Sequence, residues 1–156
     1  ALYTNDLSLL TEMIARGKED LADQIALSHP EYPNGSLPKE MQRSQSYQYS
    51  IYGLKAFATL GCAAKLVDDD FWTYKTPNNK TLKQAYNFLY PYLLQPHTWQ
   101  WQSITNPENL CTDAIPLIRQ ALKIYKTNDM LATANYLQSV AAPDAWKIWL
   151  TGTNRK

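Results

Sequence analysis

Glycine is scarce in this chain, five residues in 156, and phenylalanine is scarcer still at three. So few glycines leave no phosphate-cradling loop, dinucleotide fingerprint or serine-hydrolase elbow. Cysteine and histidine number two each. Cys62 and Cys111 stand in no CxxC or Cys/His cluster, and His29 and His97 have no ligand spacing. No metal site is expected from that inventory, and no cofactor. The two cysteines read as small buried thiols. Apolar runs fall far short of the ~20 residues a membrane-spanning helix requires. The net charge is only +1, so no overall field draws the chain to nucleic acid or to an anionic membrane. A polyanionic substrate is still compatible, because a cleft needs only local positive charge. Strands are missing from the pattern too: no period-2 run of β-branched residues lies between turn signals. Glu12, Glu31, Glu40 and Glu108 sit in unrelated places, so no carboxylate pair for glycoside hydrolysis can be chosen.

What is present is helical periodicity and polar-tipped aromatics. Eleven tyrosines and five tryptophans outweigh the phenylalanines, a skew that suits half-wet surfaces and clefts. The spacing predicts a helix over 6–27, capped by Asn5, with Leu7, Leu10, Ile14, Leu21 and Ile25 inward. That stretch carries seven charges and reads as an outer helix, weakened or bent at Gly17. Residues 28–42 read as a loop because of Pro30, Pro33, Gly35 and Pro38. The next helix, 44–67, has only Lys55 and Lys65 as charges. Ile51, Leu54, Ala58 and Cys62 form one stripe, with Tyr49, Ala56, Leu60 and Ala63 opposite. A helix apolar nearly all round is an inner, almost fully buried one. Asp68, Asp69 and Asp70 read as a solvated turn rather than a metal site. Further helices are expected at 82–94, capped by Thr81 and kinked or shortened at Pro91; at 106–126, bent at Pro116; at 129–141; and from 143 to Gly152. An amphipathic outer helix followed by a buried inner one predicts an all-α, double-layered array.

The segment richest in chemistry is 34–60. A loop carrying Glu40 and Arg43 runs into a helix that opens with Tyr47, Tyr49 and Tyr52. A guanidinium beside a phenol favours the phenolate and so eases proton transfer. The structural alternative is that Arg43 pairs with Glu40 while the tyrosines fill core. Composition and spacing leave both readings open.

The runs NGSLPKEMQRSQSYQYSIYGLKAF and DDDFWTYKTPNNKTLKQAYNFLYPYL, followed by a Trp-containing loop, resemble the alginate lyase family. The family pattern "PDGSQP…EL.R..S..YS..NL.AL" precedes "DLW.Y.TPDG.SL..AL.YL.PY", in the same order. The likeness covers about residues 2–105 and, more loosely, extends to 126. It implies an (α/α) toroid, here an incomplete one of paired inner and outer helices. It also implies β-elimination on a uronic-acid polymer, with the carboxylate neutralised, the C5 proton removed and the O4-linked sugar expelled. By that resemblance Tyr49 is the catalytic tyrosine, the acid toward O4 and a candidate base. Arg43 neutralises the carboxylate or tunes the tyrosine. Ser46 and Ser50 match motif serines with no role assigned. Tyr47, Trp72, Tyr74, Trp99 and Trp101 are candidate substrate-binding rings, each equally suited to packing.

The family's Asn-His element belongs just upstream of the first helix, and the sequence opens at ALYTND. Neither His29 nor His97 stands in that context. The chain is therefore expected to be the later part of a toroid domain, residues 1–156, completed by an upstream part of the same protein. Its expected partner is an acidic polysaccharide, in the periplasm or outside the cell. The competing readings are a non-catalytic helical carbohydrate-binding or scaffold module, and a lyase for another uronate polymer.

Overall fold

The computed structural model describes residues 6–109 and 111–140, with the side chains of Cys111 and Thr112 excepted. Six α-helices are present among them: α1 (Leu7–Gln24), α2 (Pro38–Met41), α3 (Ser46–Ala64), α4 (Leu82–Leu94), α5 (Ile115–Tyr125) and α6 (Asn128–Val140). No strand occurs among the described residues, only two isolated bridges. Helix α3 is the common neighbour of α1, α4 and α5, while α6 closes over α4 and α5. That is the paired-layer arrangement expected from alternating burial. No helix of the described residues is long and apolar enough to cross a membrane.

Helix α1 starts one residue later than predicted. Its cap is Asp6, whose carboxylate accepts from the Leu9 N–H at 2.9 Å. It ends at Gln24 because Ile25 turns extended. The helix runs through Gly17 without a break. A Cβ there would lie 2.0 Å from Leu60 Cδ2, so the glycine lets α1 press against α3.

The 28–42 segment is not all loop. Pro38 is at the start of α2, where its missing N–H costs nothing. Gly35 has φ +86°, and the loop is laced to the end of α1 by Gly35 N–H to Ala26 O and Ala26 N–H to Ser36 O, both 2.8 Å.

Helix α3 is shorter than predicted, continuing as a 3-10 turn over Lys65–Val67. It also differs in burial: one face is covered, by Tyr47, Ile51, Leu54, Phe57, Ala58, Gly61 and others, and the opposite face is open. Gln48 and Tyr49 are half-buried, while Tyr52, Ala56, Thr59 and Cys62 are exposed. Cys62 is therefore not the buried thiol expected, and Cys111 lies outside the described side chains. Helix α3 still buries nine residues to four in α1, which keeps it the inner of the two.

Beyond α3, Asp68 takes a left-handed φ of 54° and Asp69 binds Lys18 of α1 at 2.6 Å. Asp70 accepts from the Thr73 hydroxyl. The acidic run thus caps and tethers a turn. No group of three or more His, Cys, Asp or Glu among the described residues could hold a metal ion. Thr81 and Gln84 form a reciprocal capping box for α4, which continues through Pro91 to Leu94. The helix predicted over 106–126 is instead two 3-10 turns followed by α5. Pro116 lies in the first turn of α5, so it starts the helix rather than bending it. The helix expected from residue 143 lies outside the described residues.

Candidate active site

Helix α3 has no side-chain cap of its own. Its first N–H is met by a distant loop, Ser46 N–H donating to Gln102 O at 3.1 Å, and that loop's Ile104 N–H donates in return to Ser44 O, just before the helix, at 3.0 Å. The Ser46 hydroxyl donates to the same Gln102 carbonyl at 2.6 Å and accepts from the Trp99 indole N–H at 2.9 Å. Thr105 and Gln45 add a side-chain bond at 3.1 Å. This fixes the role of Ser46, which sequence reasoning left blank: it staples the 99–105 loop to the start of α3. Ser46→Ala would leave a buried indole N–H unpaired, an expected loss of about 1–3 kcal/mol. Chemical denaturation of the variant, followed by tryptophan fluorescence, measures it. Ser50, by contrast, is buried with its hydroxyl unpartnered among the described residues.

Helix α2 sets the other side of the site. Gly53 on α3 eases the docking, since a Cβ there would lie 2.9 Å from Leu37 Cδ2, with Glu40 Cγ at 3.6 Å. The chain leaves α2 and brings Arg43 back over the first turn of α3. Its guanidinium carbon sits 3.5 Å from the centroid of the Tyr49 ring, and its Nη1 lies 3.1 Å from Glu40 Oε2. Both of the sequence alternatives are therefore partly realised. Arg43 pairs with Glu40, and it also covers Tyr49. The guanidinium stacks on the ring face, where attraction is that of cation and π system. The Tyr49 hydroxyl has no hydrogen-bond partner among the described residues. Tyr52 lies next along the helix, its ring 6.4 Å from that of Tyr49 and its hydroxyl accepting from Gln48 Nε2 at 2.8 Å.

The other predicted rings disperse. Tyr47 is fully buried and packs edge-on against Trp99, with centroids 5.1 Å apart. Trp99, Trp101, Phe88 and Tyr92 continue this cluster; the two indoles are 4.8 Å apart. Trp72 is 2% exposed and belongs to a second cluster with Tyr86 and Tyr125. Burial pushes the Tyr86 and Tyr125 phenols up, so both keep their protons. Of the rings expected to serve either sugar or packing, Tyr47, Trp72 and Trp99 are buried here and face protein. Trp101 keeps a partly open face at the edge of the stapled loop. Tyr74 is half-buried elsewhere, with the Lys18 ammonium 4.8 Å from its ring, beside a cavity of about 620 Å³ that Ala15, Ala22 and Pro77 also line. It does not join the Arg43–Tyr49 pair.

What the site offers chemically is a partly open phenol with a half-exposed cation on its ring and a carboxylate behind that cation. Such a set can bind an anionic group and pass a proton beside it. The family model for alginate lyase matches residues 1–99. No curated protein matches the chain. A crystal structure of an alginate lyase from Bacteroides ovatus superimposes with a TM-score of 0.77 at 23% identity, covering 90% of this chain and 36% of that one. The chain thus spans little more than a third of that protein's length.

Proposed function

Because the chain belongs to the alginate lyase family and has its incomplete (α/α) toroid of helix pairs, we propose that it contributes to β-elimination on a uronic-acid polymer of the alginate kind. The observation that carries this reading is the placement of Arg43 over Tyr49 within the family-matched segment, at the open edge of α3. In this reading Arg43 meets the uronate carboxylate, which lowers the cost of building negative charge at C5. Tyr49 gives the proton to the departing O4 as the C4–O4 bond breaks; as the candidate base it acts as the phenolate, takes the C5 proton and passes that same proton on, while the C5–H electron pair forms the C4–C5 double bond. Residues 1–156 act as the later part of a longer toroid, with the rest of the site supplied from upstream in the same protein. In this reading the protein meets its polymer in the periplasm or outside the cell. Trp101 is the aromatic best placed to meet a sugar ring, since its loop is fastened to the start of α3.

The test uses the full-length protein on alginate and on related uronate polymers, following the ultraviolet absorbance of the unsaturated product. Growth of that absorbance is the expected result. Arg43→Ala is expected to raise KM and lower kcat together, with kcat/KM down about 10- to 100-fold, the size of a lost charge-assisted hydrogen bond. Binding of the polymer with no product from the full-length wild type would favour a non-catalytic carbohydrate-binding module instead.

A further inference from the structure

Glu40 stands behind Arg43 and is more enclosed than its partner. Its side chain is 19% exposed against 50% for Arg43. Helix α2 is a single turn opened by Pro38 and seated on α3 over Gly53, where a Cβ would meet Leu37 Cδ2 at 2.9 Å and would lie at ordinary contact distance, 3.6 Å, from Glu40 Cγ. The backbone reinforces the geometry, with Arg43 N–H donating to Glu40 O at 3.2 Å. A partly exposed ion pair of this kind contributes little to stability. Its effect is on direction. Arginine has five N–H donors and a long stem with many rotamers. One donor is held by Glu40 and one face by the Tyr49 ring, which leaves the remaining donors for an incoming anion.

We propose that Glu40 is a positioning residue that holds the Arg43 guanidinium on the Tyr49 ring, so that carboxylate capture and proton delivery are aligned. The inference rests on the lyase reading above and adds to it a residue that does not itself touch substrate. Two opposed effects follow from removing the Glu40 charge. The guanidinium is freed to leave the ring, which lowers turnover. A negative charge also disappears from the path of a polyanion, which eases binding, although solvent screens this contribution. The signature is therefore a fall in kcat without a rise in KM.

The experiment is a double-mutant cycle on the full-length enzyme, with Glu40→Gln, Arg43→Ala and the pair assayed on the uronate polymer that the wild type cleaves best. Glu40→Gln keeps the side-chain volume and is expected to lower kcat about fivefold to tenfold, with KM unchanged or lower. In the Arg43→Ala background the same change is expected to alter kcat less than about twofold, because the residue it acts through is gone. Glu40→Asp, which restores the charge on a shorter stem, is expected to recover part of the loss. Unchanged kcat in Glu40→Gln, or an equal loss in both backgrounds, overturns the inference and leaves the lyase reading intact. Absence of product from the wild type overturns both.

Discussion

Tyr49→Phe in the full-length protein is expected to lower kcat about 100-fold or more, with KM changed far less. The substitution keeps the ring, and so keeps the surface on which Arg43 rests at 3.5 Å. Only the transferable proton is lost. The neighbouring tyrosines are poor substitutes for physical reasons. Tyr47 is fully buried, with its hydroxyl 3.3 Å from Tyr92 O. Tyr52 is turned about 60° around the helix from Tyr49, and its oxygen is engaged by Gln48. Tyr47→Phe is accordingly expected to act on stability and Tyr52→Phe to be mild. Measurement of kcat and KM for the three variants decides the matter. Near-wild-type turnover in Tyr49→Phe would remove this residue from the chemistry, and loss confined to Tyr47→Phe would shift the assignment by two residues.

Gly35→Ala is expected to be the most damaging of the single changes to the fold. At φ +86° an L-residue is strained by about 1–3 kcal/mol. Worse, a Cβ there would lie 2.3 Å from the Gln84 carbonyl oxygen and 2.8 Å from its carbon. That obstacle is helix backbone, held in the capping box of α4, and cannot swing aside as a side-chain tip would. The loop would have to lift from α4 and give up its bonds to Ala26. A total loss of roughly 4 kcal/mol or more follows, which places the change among the exceptional substitutions. Thermal and urea unfolding of the variant against wild type give the number, and a loss below about 1 kcal/mol would mean that the loop relaxes without cost.

These two positions also show what could be read from the residues alone. Gly35 belongs to the NGSLP run that carries the family resemblance, yet its packing partner is Gln84, far along the chain in α4. Sequence spacing identified α1, α3 and α4 as helices, since apolar periodicity is a local signal, but of their caps only Thr81 was placed correctly. Thr81 and Gln84, three apart before an apolar face, form the box that such spacing predicts. Helix α2 was hidden because one proline-led turn among loop residues has no periodicity. The stripe through Leu54, Ala58 and Cys62 misled for a geometric reason. Steps of four residues advance about 40° each, so two of them carry Cys62 some 80° around from Leu54 and out of the buried arc. The start of α3 was unreadable because its cap is Gln102, at the far end of a loop rather than beside it in sequence. Ring type did not separate cleft from core either. Trp72 and Trp101 look alike in composition, and only tertiary packing buries one and leaves the other partly open. Of the candidate site, the pairing of Arg43 with Tyr49 was legible through the family pattern. The support from Glu40 and Gly53 was not, because it depends on how a short turn seats on a helix.

The indoles of Trp99 and Trp101 lie 4.8 Å apart at 63° between planes, within a nest of further rings. Chromophores so close and so skewed do not absorb independently. Their transitions mix, and the mixture has a handedness that circular dichroism detects. The seam between the 99–105 loop and the first turn of α3 therefore carries its own optical signature, separate from that of the helices. When the loop lifts far enough for the two side chains to leave their nest of rings and turn independently, the coupling weakens while helical ellipticity persists. Local opening at the edge of the site thus becomes visible in solution without a label.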